Sequence, residues 1–166
     1  MSALLTELKT RARLRLNATR DTQPALTLRH CLNQVARDVG FAHWEHGRRV
    51  LSGAATPGED MGTFWHAPAC HALLNAWFAQ AQPAREALAR MPDAVLLPYR
   101  RQFVVVGAPY VRALGLDPAD PDWHAAERDL VRAYGTAAWL ALARRRLEAP
   151  AAGQGASSRS SRSVVG

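Results

Sequence analysis

Long apolar runs are missing from this sequence: none approaches the roughly 20 consecutive residues that a membrane-spanning helix needs, so no partnership with a membrane is expected. Cysteine is scarce. Cys31 and Cys70 are the two present, too few for a disulfide-built scaffold and in keeping with free thiols of a reducing cytoplasm. Lysine is almost absent, Lys9 standing against twenty arginines, a bias that points to genomic base composition more than to selection for guanidinium chemistry. The N-terminal MSALLTELKTRARLRLNATR has too short an apolar stretch for a secretory signal, and its Glu7 and helical pattern favour an ordinary first helix. Also missing are a G-x-S-x-G elbow, a Gly-rich phosphate loop and an H-E-x-x-H metal motif, so no named class of enzyme is legible and no cofactor is called for.

What is present is a core and a positive balance. Of the 166 residues 48% are hydrophobic, with five tryptophans, enough for one domain with a packed interior. The net charge is +7. Residues 1–52 hold nine Lys/Arg against four Asp/Glu, 53–99 two against four, 100–149 eight against six, and the tail two against none, so the excess lies mainly in the first third. A basic surface attracts polyanions whatever their sequence.

The expected fold class is mainly α, a single domain of six to seven helices with one small β-hairpin, an α+β arrangement being the alternative. Leu5, Leu8, Ala12 and Leu16 form a helical stripe, with Arg11, Arg13 and Arg15 beside or opposite it. Thr27 can cap a second helix carrying Leu28, Cys31, Leu32, Val35, Ala36 and Val39 at helical spacing, and Gly40 ends it, with Phe41 folding back on the last turn. A third short helix over 43–51 completes a module at 1–53. Residues 54–149 are expected to pack with it as one domain. They start with a loop to 63, then a fourth helix from Pro68 with Cys70, Leu73, Leu74, Trp77 and Phe78 on one face, and a fifth from Pro83 to Met91. AVLLPY and QFVVV read as a hairpin within 94–106, with Pro98 confining its strand to an edge. Asp120-Pro121 opens a helix through Trp123, Leu130, Val131 and Tyr134 to Gly135, and Thr136 caps the last one, through Trp139 to Leu147. The tail, 150–166, is too poor in large apolar residues to pack and is expected to be disordered.

VARDVGFAHW at 35–44 and LVRAYGTAAW at 130–139 share an order of apolar residue, Arg, Gly, Ala and Trp, a glycine-ended helix whose turn drops an indole into a corner. Around the first copy, Lys9, Ala12 and Leu16 followed by LRHCLNQVARDVGFAHWEH resemble a small helical module found at the N-terminus of bacterial glyoxalase-related proteins and in other uncharacterised bacterial proteins. The resemblance implies a fold for the first fifty residues and carries no defined activity. The metal-binding glyoxalase domain that can follow the module needs repeated βαβββ units, which the rest of this chain does not suggest. The later GTFWHAPACHALLNAWF and LLPYRRQFVVV resemble an uncharacterised bacterial family, which implies no role.

Three sets of side chains are candidates, for four kinds of chemistry. Arg11, Arg13, Arg15, Arg48, Arg49, Arg100 and Arg101, with Tyr99 and Phe103 as stacking surface at the hairpin, suit nucleic acid. His43, His46, Trp65 and Tyr99 suit contact with a protein, an acidic one given the charge. His66, Cys70 and His71 give H-x3-C-H, short of the four ligands of a tetrahedral zinc site, so packed cysteines and capping histidines are the expected reading. The same three supply the one admissible nucleophile with bases, Cys70 near a helix start. The expected function is therefore that of a small basic accessory protein acting by binding, nucleic acid being the favoured partner. A protein-interaction scaffold is the first alternative and a Cys/His-based or metal-dependent enzyme the second.

Overall fold

A computed structural model describes residues 2–56 and 58–150; the expectation of a disordered tail concerns residues nearly all outside these. Among the described residues there are seven α-helices and a three-stranded antiparallel sheet, which is the mainly α class with a small β element. No helix among them is long and apolar enough to cross a membrane.

The first helix, α1 (Ala3–Thr19), buries Leu4, Leu5, Leu8 and Ala12 and packs on α2 (Leu28–Asp38), which buries Cys31, Val35 and Ala36. Thr27 caps α2 as its sequence suggests: its hydroxyl accepts from His30 N, and the His30 ring accepts from Thr27 N in return. The helix ends in a Schellman arrangement, with Gly40 N donating to Arg37 O and Phe41 N to Ala36 O. Gly40 takes φ +101°, and Phe41 is buried against Phe64 in a stacked pair. The third helix, α3 (Trp44–Leu51), follows at once.

The sheet explains the two apolar runs. Its order is β1-β3-β2, with β1 at Ala76–Phe78, β2 at Val95–Tyr99 and β3 at Gln102–Val106. Val95, Leu97, Val104 and Val106 face the main helical core, while Leu96 and Val105 face a second cluster with Ala84 and Leu88 of α4 (Ala81–Ala89). Both faces are covered, so the strands are continuously apolar where a half-exposed strand would alternate. Pro98 is accommodated by parity. Leu96 turns its N–H and carbonyl outward, to Arg128 O and Leu130 N, and Pro98, two residues on, likewise points its nitrogen away from β3, so no ladder bond is lost.

Two expectations are corrected. The fourth helix from Pro68 is a single 3-10 turn, Pro68–Cys70, and Trp77 and Phe78 lie in a strand opposite Val104 and Phe103. Helical spacing was satisfied there, but the second edge of β3 offers backbone partners, and aromatic side chains suit a pleated surface; tertiary pairing outweighs the local period. The helix expected from 121 to Tyr134 stops after α6 (Pro121–Ala125), and Glu127 and Arg128 take left-handed φ values of 53° and 58°. The chain turns there to bond β2 through Leu96, and Arg128 Nη1 donates to Met91 O and Ala94 O. Helix propensity, worth tenths of a kcal/mol per residue, is outweighed by these bonds.

The remaining helices are α5 (Ala108–Ala113) and α7 (Ala137–Glu148), the latter capped by Thr136. The two glycine corners differ in detail. Gly135 is left-handed like Gly40, yet no helix precedes it; Trp139 is fully buried, whereas Trp44 is half-buried beneath Lys9. Tyr134 joins the corners, its hydroxyl donating to Val50 O of α3 and accepting from Ala55 N.

Candidate anion-binding cleft

The density of reactive side chains at 40–49 resolves into structural bonds. His43 caps α3, its Nδ1 accepting from His46 N at 3.2 Å. His46 uses both nitrogens: Nδ1 accepts from Ala42 N, so Nε2 must carry the proton it donates to Asp60 O at 2.7 Å. Arg48 pairs with Glu45 at 2.7 Å, and Arg49 grips Glu59 through two nitrogens at 2.8 and 2.6 Å. That guanidinium, with the Thr56 hydroxyl, holds the Glu59 carboxyl down at about 2. Trp65, read as an interaction residue, is only 2% exposed and packs edge-on against Phe64 and Trp139.

The arginines read as a nucleic-acid surface are likewise dispersed. Arg11 pairs with Glu7 at 2.7 Å and Arg15 with Asp38 at 2.6 Å. Arg13 is exposed on α1, and Arg101 donates to Gly58 O. Exposed pairs of this kind add little stability, but they neutralise the charge of Arg11 and Arg15. Arg100 differs. It sits at the hairpin tip with its guanidinium 5.7 Å from the centre of the Tyr99 ring.

A cleft of about 610 Å³ gathers the rest of the chemistry. Its walls come from α1, the end of α2, the 63–71 segment, the tip of β2 and α7, and they bring together Arg11, Arg37, His66, His71, Tyr99 and Arg146. The volume lies within the range of small-ligand sites. Arg146 is the unusual member. It is half-buried, its Nε donates to Phe64 O at 3.2 Å and its Nη2 to His66 O at 3.3 Å, and among the described residues it has no carboxylate partner. Burial works against its charge, yet a guanidinium does not give up its proton near neutrality. The cleft also carries Asp38, but the Arg146 guanidinium has only carbonyl partners among the described residues, so its charge favours an anion beside it.

His66 sits beside it with a defined tautomer. The Tyr110 hydroxyl donates to Trp65 O at 2.9 Å, because a carbonyl can only accept. Its one proton is thereby committed, so His66 Nδ1 must be the donor in its 2.8 Å contact with the same oxygen. In the neutral ring the lone pair is left on Nε2, for which no protein partner exists among the described residues. Burial, then the charges of His71 and Arg146, lower the His66 pKa below its ordinary 6.5. The unfolded ring protonates near 6.5 and the folded one only at lower pH, so in between the unfolded chain binds more protons. Thermal unfolding is expected to show stability falling as pH is lowered from about 8 to 6, and His66→Phe is expected to flatten this slope.

Rings run outward from His66. His71 lies 4.9 Å away, Tyr99 5.3 Å, and Trp77 5.0 Å beyond Tyr99, centre to centre, with Trp77 44% exposed. Trp77 and Arg146 belong to this site and carried no sequence signal: Trp77 read as a helix-core position, and Arg146 as one of three arginines on a terminal helix. Cys70 turns inward, buried, its Sγ facing Tyr110 O, and burial raises its pKa, the reverse of an activated thiol. Among the described residues no three His, Cys, Asp or Glu side chains are gathered as metal ligands. Comparison of the chain with known protein families, with curated proteins and with solved structures finds no match.

Proposed function

We propose that this chain is a small basic binding protein of the bacterial cytoplasm whose partner is single-stranded nucleic acid. The observation that carries the reading is the row of rings Trp77, Tyr99, His66 and His71, running from an exposed indole into the cleft where Arg146 has no carboxylate partner among the described residues. Aromatic faces hold bases without regard to sequence, and uncompensated guanidinium charge holds phosphate. Arg100, its guanidinium 5.7 Å from the centre of the Tyr99 ring, adds a cation beside the row of rings. The resemblance of residues 1–53 to the glyoxalase-related helical module fits a scaffold that supports this surface, and the two buried unpaired thiols fit a reducing compartment.

Fluorescence anisotropy with a labelled single strand of about 12 nucleotides tests the reading, that length falling among known single-strand site sizes. Binding is expected at low salt, weakening with slope of about 0.7 per phosphate contacted when log affinity is plotted against log salt. Trp77→Ala is expected to cost about 1–3 kcal/mol of binding, with the thermal midpoint little changed because the indole is half exposed. Absence of binding at low salt, or full affinity in Trp77→Ala, overturns it. An acidic protein partner is the second reading, favoured by the fully exposed Leu74 next to the open edge of β1.

A further inference from the structure

We infer that the cleft distinguishes RNA from DNA, His66 Nε2 accepting a hydrogen bond from a ribose 2′-hydroxyl while Arg146 and His71 face the adjoining phosphate. The inference rests on the single-strand reading and adds to it a ligand class and a specificity-determining residue. Its basis is the chain of bonds that fixes His66: Trp65 O takes the Tyr110 proton, and Tyr110 Oη takes the Nδ1 proton. An imidazole so held presents an acceptor, and only an acceptor, on its other side.

The order of groups in the cleft matches the order within a nucleotide. Base, ribose and phosphate follow one another in the ligand; stacking ring, acceptor and cation follow one another in the protein. A base resting against Trp77 and Tyr99 brings its sugar to the next side chain, His66, and its phosphate to His71 and Arg146. At that sugar, RNA offers a hydroxyl proton and DNA a C–H. The 2′-hydroxyl is the group by which a protein separates the two polymers at one site. An acceptor among cations is otherwise unhelpful to a polyanion, because a bare phosphate diester has no proton to give it.

Protonation reverses the device. An imidazolium donates from both nitrogens and accepts from neither, so acidification removes the hydroxyl acceptor while adding a positive charge. The groups facing His66 are His71 after the 3-10 turn, Arg146 of α7, Tyr99 of β2 and Tyr110 of α5, with Arg11, Arg37 and Asp38 on the far wall. His71 and the arginines act on phosphate and so affect both polymers alike. Total affinity and discrimination should therefore move in opposite directions with pH.

The experiment compares labelled oligouridylate with oligodeoxyuridylate of equal length, about 12 nucleotides, which differ only at the 2′ position. At about pH 8 the ribo-oligomer is expected to bind about 3–10-fold more tightly, the value of one hydrogen bond. As the pH is lowered below 6.5 and His66 takes up its proton, both are expected to bind more tightly and the ratio to fall toward 1. His66→Phe keeps a ring but no acceptor and is expected to bring the ratio near 1 at high and low pH alike. Tyr110→Phe, which releases the tautomer, is expected to lower the ratio while leaving the stacking rings in place. Equal affinities at about pH 8, or a ratio unchanged by acidification in the unsubstituted protein, overturn the inference and leave the single-strand reading standing. Absence of binding by either oligomer removes both.

Discussion

Replacing Gly40 by alanine is expected to destabilise the fold by about 3–5 kcal/mol, the sum of backbone strain and a contact that cannot relax. Gly40 has φ +101°, and a Cβ there would lie 2.7 Å from both Phe64 N and Thr63 C. Those atoms are backbone, and they are held in place because Thr63 N and its hydroxyl both bond Gly40 O. Yielding would break the attachment between the α2 corner and the 62–66 segment that carries His66. Gly135→Ala is the control. Gly135 is also left-handed, φ +76°, but a Cβ would meet nothing within 4 Å, so only the conformational cost of about 1 kcal/mol is expected. Equal losses for the two variants in denaturant melts would show that the close approach contributes nothing.

Asp129→Ala is expected to cost a similar amount, about 3–5 kcal/mol, for an electrostatic reason. Asp129 is a buried charged residue, 3% exposed. One carboxylate oxygen accepts from Arg85 Nε at 2.7 Å, the other from the N–H groups of Val131 and Arg132 at 3.0 and 2.9 Å. Alanine leaves a half-buried guanidinium and two backbone donors without acceptors at once, and each such group is costly. It also loosens the 128–130 segment that closes the outer edge of β2. Asp129→Asn, which keeps an acceptor and loses the charge, is expected to fall between wild type and alanine. A loss within about 1 kcal/mol for Asp129→Ala in urea unfolding would contradict this account.

The parts of the architecture that were legible are those governed by neighbours in the chain. Thr27, Asp120 and Thr136 were readable as caps because a cap bonds N–H groups two or three residues away. Gly40 was readable as a stop for the same reason. The hairpin, too, is local, closing over Arg100-Arg101. Residues 68–78 and 126–134 were not legible, since apolar spacing over a few turns fits helix and buried strand alike, and the deciding bonds run to Val104, Phe103 and Leu96, far away in sequence.

For the candidate site the division is sharper. His66, His71, Tyr99 and Arg100 were marked by residue type, but so were His43, His46, Arg48 and Arg49, and nothing in composition separates the two groups. Their bonds separate them. In the corner Arg48 and Arg49 are paired with carboxylates and His46 bonds through both ring nitrogens, whereas in the cleft Arg146 has no carboxylate and His66 Nε2 no donor among the described residues. The sequence by itself determined the helical caps, the amphipathic stripes and the positive balance, because these depend on side chains within a few residues of one another. Only the tertiary structure decided which charges are compensated, which tautomer His66 holds and that Trp77 stands beside Tyr99, because each depends on groups brought together from separate segments.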